Sequence, residues 1–346
     1  MAVSARPVSC SNAQASYGRN HHRIMQKLNA TLHAIELLAD GILGFDFRPS
    51  DGAIWPAPTA GAHIDLHLPN GLVRSYSLTN RPGESKRYVV AVSRDASGGG
   101  GSRFMHDNLR VGQKLPISEP RNNFPLATSS SPSIFFAGGI GITPIWSMVQ
   151  SVAQTGKPWT LHYAARALEN AAFIDELQHF ASQHNGSVHM NFDGGVKEKM
   201  LDLEAIVAAA GLDTEFYCCG PIPMLKAFEQ ACHSRPKDKV HLEYFAAPKV
   251  AQPGPATDGP FRVVLSKSKR TVEVAPDCTI LDALLNEGVD APYSCMGGVC
   301  RACETVVLQG VPDHRDFVLS EDERDAGDRI IICCSRAKSD ELVLEL

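Results

Sequence analysis

Three cysteines within nine positions constrain this chain of 346 residues more than any other feature of its sequence. Cys295, Cys300 and Cys303 are spaced C-x4-C-x2-C in the segment YSCMGGVCRACE, residues 293–304. Three thiols are too many for one disulfide and one too few for a closed four-ligand metal site. A structural zinc site usually pairs two C-x2-C knuckles, whereas this segment contains one. If the loop binds a metal, a fourth ligand must come from elsewhere in the chain.

The spacing C-x4-C-x2-C, followed by a distant fourth cysteine, is typical of a plant-type [2Fe–2S] cluster. The loop must wrap around the cluster with its N–H groups directed at the sulfurs, and Gly297 and Gly298 permit the unusual backbone dihedrals that this requires. We therefore predict a cluster rather than zinc or cysteines without a ligand role. The fourth ligand must be Cys333 or Cys334, in IIICCSRA. Adjacent residues of a strand point to opposite faces, so only one of them should reach the cluster.

Composition and charge exclude other classes of function. The net charge is −5, and the sequence has no basic patch with interleaved aromatic residues that would indicate nucleic-acid binding. No apolar run approaches the roughly 18 residues that a membrane helix needs. Residues 1–26 lack the apolar core of a signal peptide and are predicted to be a disordered tail. Ten cysteines without an export signal indicate a reducing compartment, so we expect a cytoplasmic protein that binds neither nucleic acid nor membranes.

The hydrophobic pattern predicts a multi-domain chain. Residues 27–127 contain short alternating strands broken by Gly, Pro and Asn, which predict an antiparallel β-barrel or sandwich; of the two we choose the barrel. Residues 128–247 alternate apolar strands with helical stretches, which predict an α/β doubly wound domain with a parallel sheet. Residues 248–259 are rich in Ala, Pro and Gly and are predicted to be a linker. Residues 260–346 predict an α+β domain in which a small mixed sheet packs one helix.

The helix of this last domain carries a local start signal. It is predicted in the stretch TILDALLNEG, where Thr279 is followed three positions later by Asp282. This spacing is typical of a capping box, in which the two side chains satisfy the free N–H groups of the first helical turn.

Two segments of the first domain form a candidate phosphate site. RSYSL covers residues 74–78, and SGGGGSRFMHD covers residues 97–107. A glycine-rich turn that leads into a helix offers a phosphate both free N–H groups and the positive end of the helix dipole. Alone, the glycine run could be a flexible tether and RSYSL an ordinary edge strand. Their combination is what indicates a site.

Two segments of the second domain form a candidate nucleotide site. AGGIGITP, residues 137–144, follows an apolar strand, and YCCGP, residues 217–221, ends another. The first segment is not G-x-G-x-x-G, but a glycine turn at the end of a strand lets a pyrophosphate approach the start of a helix in the same way. The alternative for Cys218 and Cys219 is a buried strand, which we accept for Cys218.

In this order and spacing, the motifs resemble those of the ferredoxin–NADP reductase superfamily, whose flavin domain carries R-x-Y-S before a glycine-rich phosphate turn. The resemblance implies that Arg74 meets the flavin phosphate, that Tyr76 packs on the isoalloxazine ring and that Ser77 lies near the flavin N5. In HLEYF, residues 241–245, it implies that Phe245 covers the flavin ring while the adjacent Tyr244 faces the other way. It further implies that the flavin is contacted by Ser75, Gly100, Gly101 and Ser102.

The same resemblance places the two nucleotide motifs on either side of the nicotinamide. Thr143 would lie between the nicotinamide and flavin rings, and Cys219 would lie beside the nicotinamide. We expect Ser77, Thr143 and Cys219 to orient and tune the rings, and no side chain to act as a required general acid or base. The other nucleotide contacts that it implies are Gly139, Gly141, Arg166, Gly220 and Pro221.

The order of flavin domain, nicotinamide domain and C-terminal ferredoxin resembles the phthalate dioxygenase reductase family, and vanillate demethylase reductases share it. The last domain resembles plant-type ferredoxins with a β-grasp fold. Because 29 residues separate Cys303 from Cys333, the usual spacing of that family, the resemblance implies that Cys333 is the fourth ligand and Cys334 a packing residue. It also implies that the flavin is FMN and that the acceptor is a separate Rieske-type aromatic oxygenase or demethylase. We expect a monomer.

Electron counting indicates the mechanism. A reduced nicotinamide delivers a hydride, the cluster accepts one electron at a time, and a flavin can do both, so the flavin must stand between them. Arg166, with no acid beside it until Glu169, taken alone favours NADPH. The resemblance and the lack of a second basic residue near Arg166 favour NADH, which we predict. The alternatives are a reductase for a haem monooxygenase and a non-enzymatic iron–sulfur carrier, although the intact flavin and nucleotide motifs argue against the carrier.

Overall fold

A computed structural model of the chain describes residues 27–95, 100–129, 131–245, 259–293 and 295–346. The described residues form two compact units, one that ends at Phe245 and one made of residues 259–346. Three predicted features lie outside the described residues, wholly or in part: the tail at 1–26, positions 97–99 of the glycine-rich turn, and positions 248–258 of the linker. The predicted domain boundaries therefore stay predictions.

The first unit begins with a six-stranded antiparallel sheet. Its strands run in the order β4-β3-β6-β1-β2-β5. The edge strands meet at the bridge between Leu78 and Val90, where Thr79 N also donates to Val89 O at 2.9 Å, so the sheet curls towards closure. The elements are β1 (Lys27–Ala39), β2 (Ile42–Pro49), β3 (His63–His67), β4 (Val73–Ser77), β5 (Tyr88–Ser93), α1 (Gly101–Asn108) and β6 (Lys114–Ser118).

Alternation along these strands explains the core of the sheet. Every second residue of a strand faces inward. Phe45 and Phe47 on β2 are two such residues; they are fully buried and pack against Ile64 and Tyr88 from other strands. One face of each strand is thereby removed from water, as the sequence pattern predicts for an antiparallel barrel.

The rest of the first unit is a five-stranded parallel sheet with helices on both faces. The strands run in the order β11-β10-β7-β8-β9. The order reverses between β7 and β10, and in such sheets ligands bind at the carboxyl ends of the strands beside this point. The elements are β7 (Ser133–Gly138), α2 (Ile142–Ala153), β8 (Trp159–Ala165), α3 (Ile174–Gln183), β9 (Gly186–Phe192), α4 (Leu203–Ala209), β10 (Glu215–Cys219), α5 (Ile222–Ala231) and β11 (Val240–Glu243).

Helix α2 ties the parallel sheet to the antiparallel one. Ser147 Oγ donates to Asn80 O at 3.1 Å, and Gln150 Nε2 donates to Thr79 O at 3.1 Å. All four groups lie in a buried interface, where an unpaired polar group costs about 1–3 kcal/mol. These bonds therefore hold the middle of α2 in one place relative to Thr79 and Asn80, the segment that follows β4.

The second unit is a small mixed sheet that packs one main helix, as predicted. The strands run in the order β13-β12-β18-β14-β16, with β12 and β18 parallel, and β15 pairs with β17. The predicted capping box is present at the start of α6, where Asp282 N donates to Thr279 Oγ1 at 3.0 Å. The elements are β12 (Phe261–Leu265), β13 (Arg270–Val274), α6 (Ile280–Asn286), β14 (Glu304–Gln309), β15 (Pro312–Asp313), α7 (Glu321–Ala326), β16 (Arg329–Ile331), β17 (Arg336–Ala337) and β18 (Glu341–Leu344).

No helix within the described ranges is both long enough and apolar enough to span a membrane.

Candidate redox sites

Arg74 and the start of α1 lie side by side in the first unit. A Cβ on Gly101 would stand 2.5 Å from Arg74 Cγ, so the glycine makes room for the arginine stem. Gly100, which precedes the helix, has a φ of +82°, a conformation that favours glycine. The first N–H groups of a helix have no partner within it, and here they lie beside a guanidinium. The two sequence motifs thus meet, and an arginine beside a helix start is an arrangement that can bind an anionic phosphate.

Other residues of this predicted flavin site have defined partners. Ser102 Oγ accepts a hydrogen bond from Asp95 N at 3.1 Å. Ser75 Oγ donates to Asp65 Oδ1 at 2.7 Å, and Asp65 in turn pairs with Arg121 at 2.7 Å. The Ser75 hydroxyl therefore uses its donor within the protein, whereas the Ser102 hydroxyl only accepts and keeps its O–H to donate to a ligand.

Tyr76 and Ser77 complete the R-x-Y-S motif at the end of β4. Tyr76 packs partly against the core of the antiparallel sheet, and burial raises its pKa to about 12. Its phenol is therefore neutral at pH 7. Ser77 is buried, and it lies two residues before Thr79, to which α2 is bound.

The two nucleotide motifs pack backbone against backbone. A Cβ on Gly141 would stand 2.2 Å from Cys219 O, and one on Gly138 would stand 2.6 Å from Pro221 Cδ. Only glycine permits this approach, which brings residues 138–141 and 219–221 together at the point where the strand order reverses. Gly139 has a φ of +52°, and Gly220 packs against Gly138.

Thr143 lies in the first turn of α2 and is buried. Its Oγ1 donates to Ile140 O at 3.0 Å, so the side chain fixes the turn that leads into the helix. Cys219 is fully buried, and burial raises the pKa of its thiol well above the usual range. A neutral thiol is a poor nucleophile, so the chemistry available to Cys219 is packing and orientation. Cys218 packs on the other side of the sheet, as expected for a strand residue.

Glu243 is a candidate site residue that the sequence analysis missed. It pairs with Cys219 in the register of β10 and β11. Its Oε2 is buried with no hydrogen-bond partner among the described residues, and burial raises its pKa to about 8. A buried carboxyl with a perturbed pKa is typical of functional sites. In the sequence, Glu243 is only a single acid within HLEYF. The strand register is what shows that it lies beside Cys219.

The two aromatic residues at the end of this unit differ in their surroundings. Tyr244 donates from its hydroxyl to Glu229 Oε2 at 3.2 Å and packs on the helix-covered face near Cys218. Phe245 is 43% exposed, so its ring remains available for stacking. The opposite orientation expected for this pair agrees with these contacts, while the role of Phe245 stays a prediction.

Arg166 follows β8 at the carboxyl edge of the parallel sheet and is exposed. Its carbonyl accepts a hydrogen bond from Gly194 N at 2.9 Å, and Asp193 N donates to Ala165 O at 3.2 Å. The sheet thus brings an acid, Asp193, next to Arg166. Asp193 is far from Arg166 along the chain, so only the pairing of neighbouring strands shows that the two residues are close.

In the second unit, four thiols converge on one place. The Cys333 thiol contacts the thiols of Cys295 and Cys303. Cys295 N points to Cys300 Sγ at 3.5 Å, and Gly297 N points to Cys295 Sγ at 3.3 Å. Hydrogen bonds from the Cys300 and Cys333 thiols, together with the N–H group of Gly297, lower the pKa of Cys295 because they stabilise its thiolate. Four converging thiols with N–H groups aimed at sulfur fit a [2Fe–2S] cluster.

The loop reaches this shape differently from the sequence prediction. Gly298 has a φ of +73°, but the other left-handed positions are Met296 at +52° and Arg301 at +56°, not Gly297. Gly297 contributes its N–H group instead. Residues with side chains hold this conformation only where their surroundings impose it.

Arg301 shows how the surroundings impose it. Its guanidinium donates to Glu304 Oε2 at 3.1 Å, to Glu323 Oε1 at 2.9 Å and to Val318 O at 2.9 Å. Arg301 lies between two ligand cysteines, so these bonds tie the cluster loop to the start of α7 and to β14.

Cys333 and Cys334 do not lie on a strand, so the prediction that they point to opposite faces is wrong. Strand β16 ends at Ile331, and Cys333 and Cys334 lie in the turn that follows, where Cys334 N donates to Ile331 O at 3.3 Å. Residues of a turn do not alternate between two faces. Cys333 is 5% exposed and contacts two of the other ligand thiols, which supports it as the fourth ligand on grounds of contact.

Comparisons with known proteins agree with this arrangement. Residues 263–338 match the family described as "2Fe-2S iron-sulfur cluster binding domain", and residues 135–230 match the family described as "Oxidoreductase NAD-binding domain". The chain therefore carries both the cluster domain and the nucleotide domain that the sequence predicts.

Similar proteins match the chain along nearly all of its length. Phenoxybenzoate dioxygenase subunit beta of Ectopseudomonas oleovorans is 51% identical over 324 residues, which cover 93% of this chain and 98% of that protein. Tetrachlorobenzoquinone reductase of Sphingobium chlorophenolicum is 45% identical over 320 residues, which cover 92% and 98%. The solved structure of phthalate dioxygenase reductase, a modular structure for electron transfer from pyridine nucleotides to [2Fe-2S], is 36% identical, covers 93% of this chain and 98% of that chain, and has a TM-score of 0.69. The predicted family is thus confirmed, and the chain belongs to the phthalate dioxygenase reductase family of oxidoreductases.

Proposed function

We propose that this chain is the NADH-dependent reductase component of a Rieske-type aromatic oxygenase or demethylase, and that it uses FMN and a [2Fe–2S] cluster. The proposal rests on one observation: in the first unit, each of two pairs of sequence motifs lies side by side. Arg74 meets the start of α1, and the glycine turn before α2 meets residues 219–221. When bound, FMN supplies the conversion between hydride transfer and single-electron transfer.

The chain's own residues would hold the flavin by its phosphate and ring. Arg74 and the N–H groups of Gly101 and Ser102 neutralise the phosphate, because a guanidinium and a helix start both favour an anion. Tyr76, with its neutral phenol, and Phe245, with its exposed ring, offer aromatic surface for the flavin. Ser77 offers a small polar group at the end of β4.

The nicotinamide nucleotide would be held at the carboxyl edge of the parallel sheet. Gly139 and Gly141 bring backbone N–H groups to the pyrophosphate at the start of α2. Thr143 and Cys219 position the nicotinamide without exchanging protons, since the Cys219 thiol is neutral and buried. The hydrogen bonds from Ser147 and Gln150 to the segment after β4 would keep the flavin and nicotinamide rings aligned with each other.

The acceptor is the part of the proposal that lies outside this chain. The similar phenoxybenzoate protein is named as a dioxygenase subunit, which supports a separate oxygenase partner. The similar tetrachlorobenzoquinone reductase supports a second candidate, in which the chain reduces a quinone directly. We further propose a monomer that works in the cytoplasm, a compartment in which clustered thiols stay available to bind a metal.

Anaerobic titration with NADH tests the redox centres. FMN takes two electrons and the cluster one, so the full chain should be fully reduced by about 1.5 equivalents of NADH. A chain that ends at residue 248 keeps the whole first unit and should need about one equivalent. A full chain that shows no flavin absorbance would contradict the proposal.

The reduced protein is then mixed with each candidate acceptor, and the rates of electron transfer are compared. The full chain should pass electrons to a Rieske oxygenase, whereas the shortened chain should reduce ferricyanide but not the oxygenase. Equal activity of the two chains towards a quinone, with no transfer to any oxygenase, would favour the second candidate instead.

A further inference from the structure

We infer that Cys334 is an alternative fourth ligand of the [2Fe–2S] cluster and can replace Cys333. The inference rests on the proposed cluster and extends it to a residue that the ferredoxin pattern assigns to packing. The cluster would be bound by Cys295, Cys300 and Cys303 together with one thiol of the adjacent pair.

The backbone of residues 331–335 brings both thiols of the pair to the same loop. The carbonyl of Ile331 accepts hydrogen bonds from Cys334 N at 3.3 Å and from Ser335 N at 3.1 Å. Two such bonds on one carbonyl define a tight turn, and the alternation of side chains that holds for a strand does not apply to a turn. The side chains of Cys333 and Cys334 can therefore both face the cluster loop.

The positions of the two sulfurs agree with this backbone. The Cys333 thiol contacts Cys295 and Cys303, and it also contacts the thiol of Cys334. A Cβ on Gly298 would stand 2.6 Å from Cys334 Sγ. The Cys334 sulfur therefore occupies the space that a side chain at position 298 would need, against the part of the loop between the first two ligands.

The two thiols differ in how firmly the protein holds them. Cys333 is 5% exposed and belongs to the hydrophobic core of the unit, which makes it the resident ligand. The Cys334 thiol is half-buried, and its hydrogen bonds are to neighbouring residues of the same turn, at 3.7 Å to Ile331 O and 3.8 Å to Ser335 Oγ. An exchange needs the turn to advance by about one residue, roughly 3.8 Å between neighbouring Cα atoms.

Alanine variants of the full chain test the inference, because alanine cannot bind iron. Cys333→Ala, Cys334→Ala, the double variant and Cys303→Ala are purified without oxygen and assayed for iron and sulfide. Cys334→Ala should keep about two irons per chain with the wild-type electron paramagnetic resonance spectrum. Cys333→Ala should also keep about two irons, but with shifted g-values. The double variant and Cys303→Ala, which has no spare thiol beside it, should lose the cluster.

The outcomes separate this inference from the proposed function. A wild-type protein without iron would overturn both. A wild-type protein with a cluster, together with a Cys333→Ala variant as poor in iron as the double variant, would overturn the inference alone. Retention of iron by Cys303→Ala would also overturn it, because iron content would then not depend on which ligand is removed and could not report a specific role of Cys334.

A serine background gives a second test if the alanine variant does not fold. Serine can itself bind iron, so Cys333→Ser is compared with Cys333→Ser/Cys334→Ala. Different spectra from the two variants mean that Cys334 binds the cluster in the first. Identical spectra mean that the serine oxygen binds it, and they would overturn the inference.

Discussion

Gly101 leaves space for the side chain of Arg74, and a Cβ at position 101 would stand 2.5 Å from Arg74 Cγ. This contact is where the R-x-Y-S strand meets the helix that follows the glycine-rich turn. Gly101→Ala should therefore displace Arg74 from the helix start and weaken FMN binding. We expect a loss of at least about tenfold in affinity, or about 1.4 kcal/mol, measured by titration of flavin fluorescence.

Two controls test this prediction. One changes the ligand and the other changes the protein. Riboflavin lacks the phosphate, so its weaker binding should change little in Gly101→Ala. Gly211→Ala adds a Cβ that meets only Thr214 Oγ1, at 3.7 Å, and should bind FMN like the wild type. Equal losses for FMN and riboflavin would mean that the substitution disturbs the whole site rather than the phosphate seat.

Asp193 lies beside Arg166 at the edge where the adenosine ribose is expected, and its charge should repel the 2′-phosphate of NADPH. The wild type should prefer NADH over NADPH by about a hundredfold or more in kcat/KM. Asp193→Asn should raise kcat/KM for NADPH by about tenfold. Steady-state reduction of ferricyanide with each nucleotide measures the ratio.

Glu198 provides the matched control for Asp193, because it is exposed in the turn that follows β9. Glu198→Gln should leave the nucleotide preference unchanged. If Asp193→Asn alters both nucleotides to the same extent, its charge does not select between them.

The buried carboxyl of Glu243 should make stability depend on pH. Its pKa rises from the ordinary 4.5 to about 8 in the folded chain, so the folded state binds a proton that the unfolded state has lost. The stability that Glu243 contributes should therefore be fully present below about pH 4.5 and should be lost as the pH rises to about 8, by up to about 1.4 kcal/mol per pH unit. Denaturant unfolding between pH 5 and about 8, followed by flavin fluorescence, measures this slope.

Comparison with Glu243→Gln isolates the carboxyl, because glutamine is neutral at every pH. The variant should show a flatter dependence than the wild type, since all other titrating groups are shared. Glu169→Gln, at an exposed position, should retain the wild-type slope. Parallel curves for Glu243→Gln and the wild type would show that Glu243 is ionised in the folded protein.

The Arg301–Glu323 pair should keep the cluster loop in shape. Glu323→Gln and Arg301→Lys should both shorten the lifetime of the cluster absorbance, because each loosens a loop held in a left-handed conformation that costs about 1–3 kcal/mol. Both should shift the midpoint potential of the cluster in the same direction. Visible spectroscopy and a redox titration measure the two effects.

The sign of the potential shift distinguishes loop shape from charge. Arg301→Gln and Glu323→Gln remove opposite charges, so an effect of charge alone would lower the potential in the first and raise it in the second. Arg262→Gln breaks an exposed pair with Glu341 and should change neither lifetime nor potential. Opposite shifts at positions 301 and 323 would contradict a role in holding the loop.

Local patterns in the sequence determined much of this protein. The C-x4-C-x2-C spacing identified the cluster, and the capping box of Thr279 and Asp282 identified the start of α6, because both depend on residues a few positions apart. The change from short alternating strands to alternating strands and helices identified the two sheet types. The glycine motifs were also recognisable, because a glycine turn between a strand end and a helix start lets a phosphate approach the backbone.

Only the tertiary structure decided which distant residues meet. Glu243 reaches Cys219 through the register of two parallel strands, and Asp193 reaches Arg166 through another pair, so neither neighbour can be identified from spacing along the chain. Met296 and Arg301 adopt conformations that their residue types disfavour, because contacts such as that between Arg301 and Glu323 hold the loop. Cys333 and Cys334 lie in a turn rather than a strand because β16 ends at Ile331, and the end of a strand depends on the pairing available from its neighbours more than on its own residues.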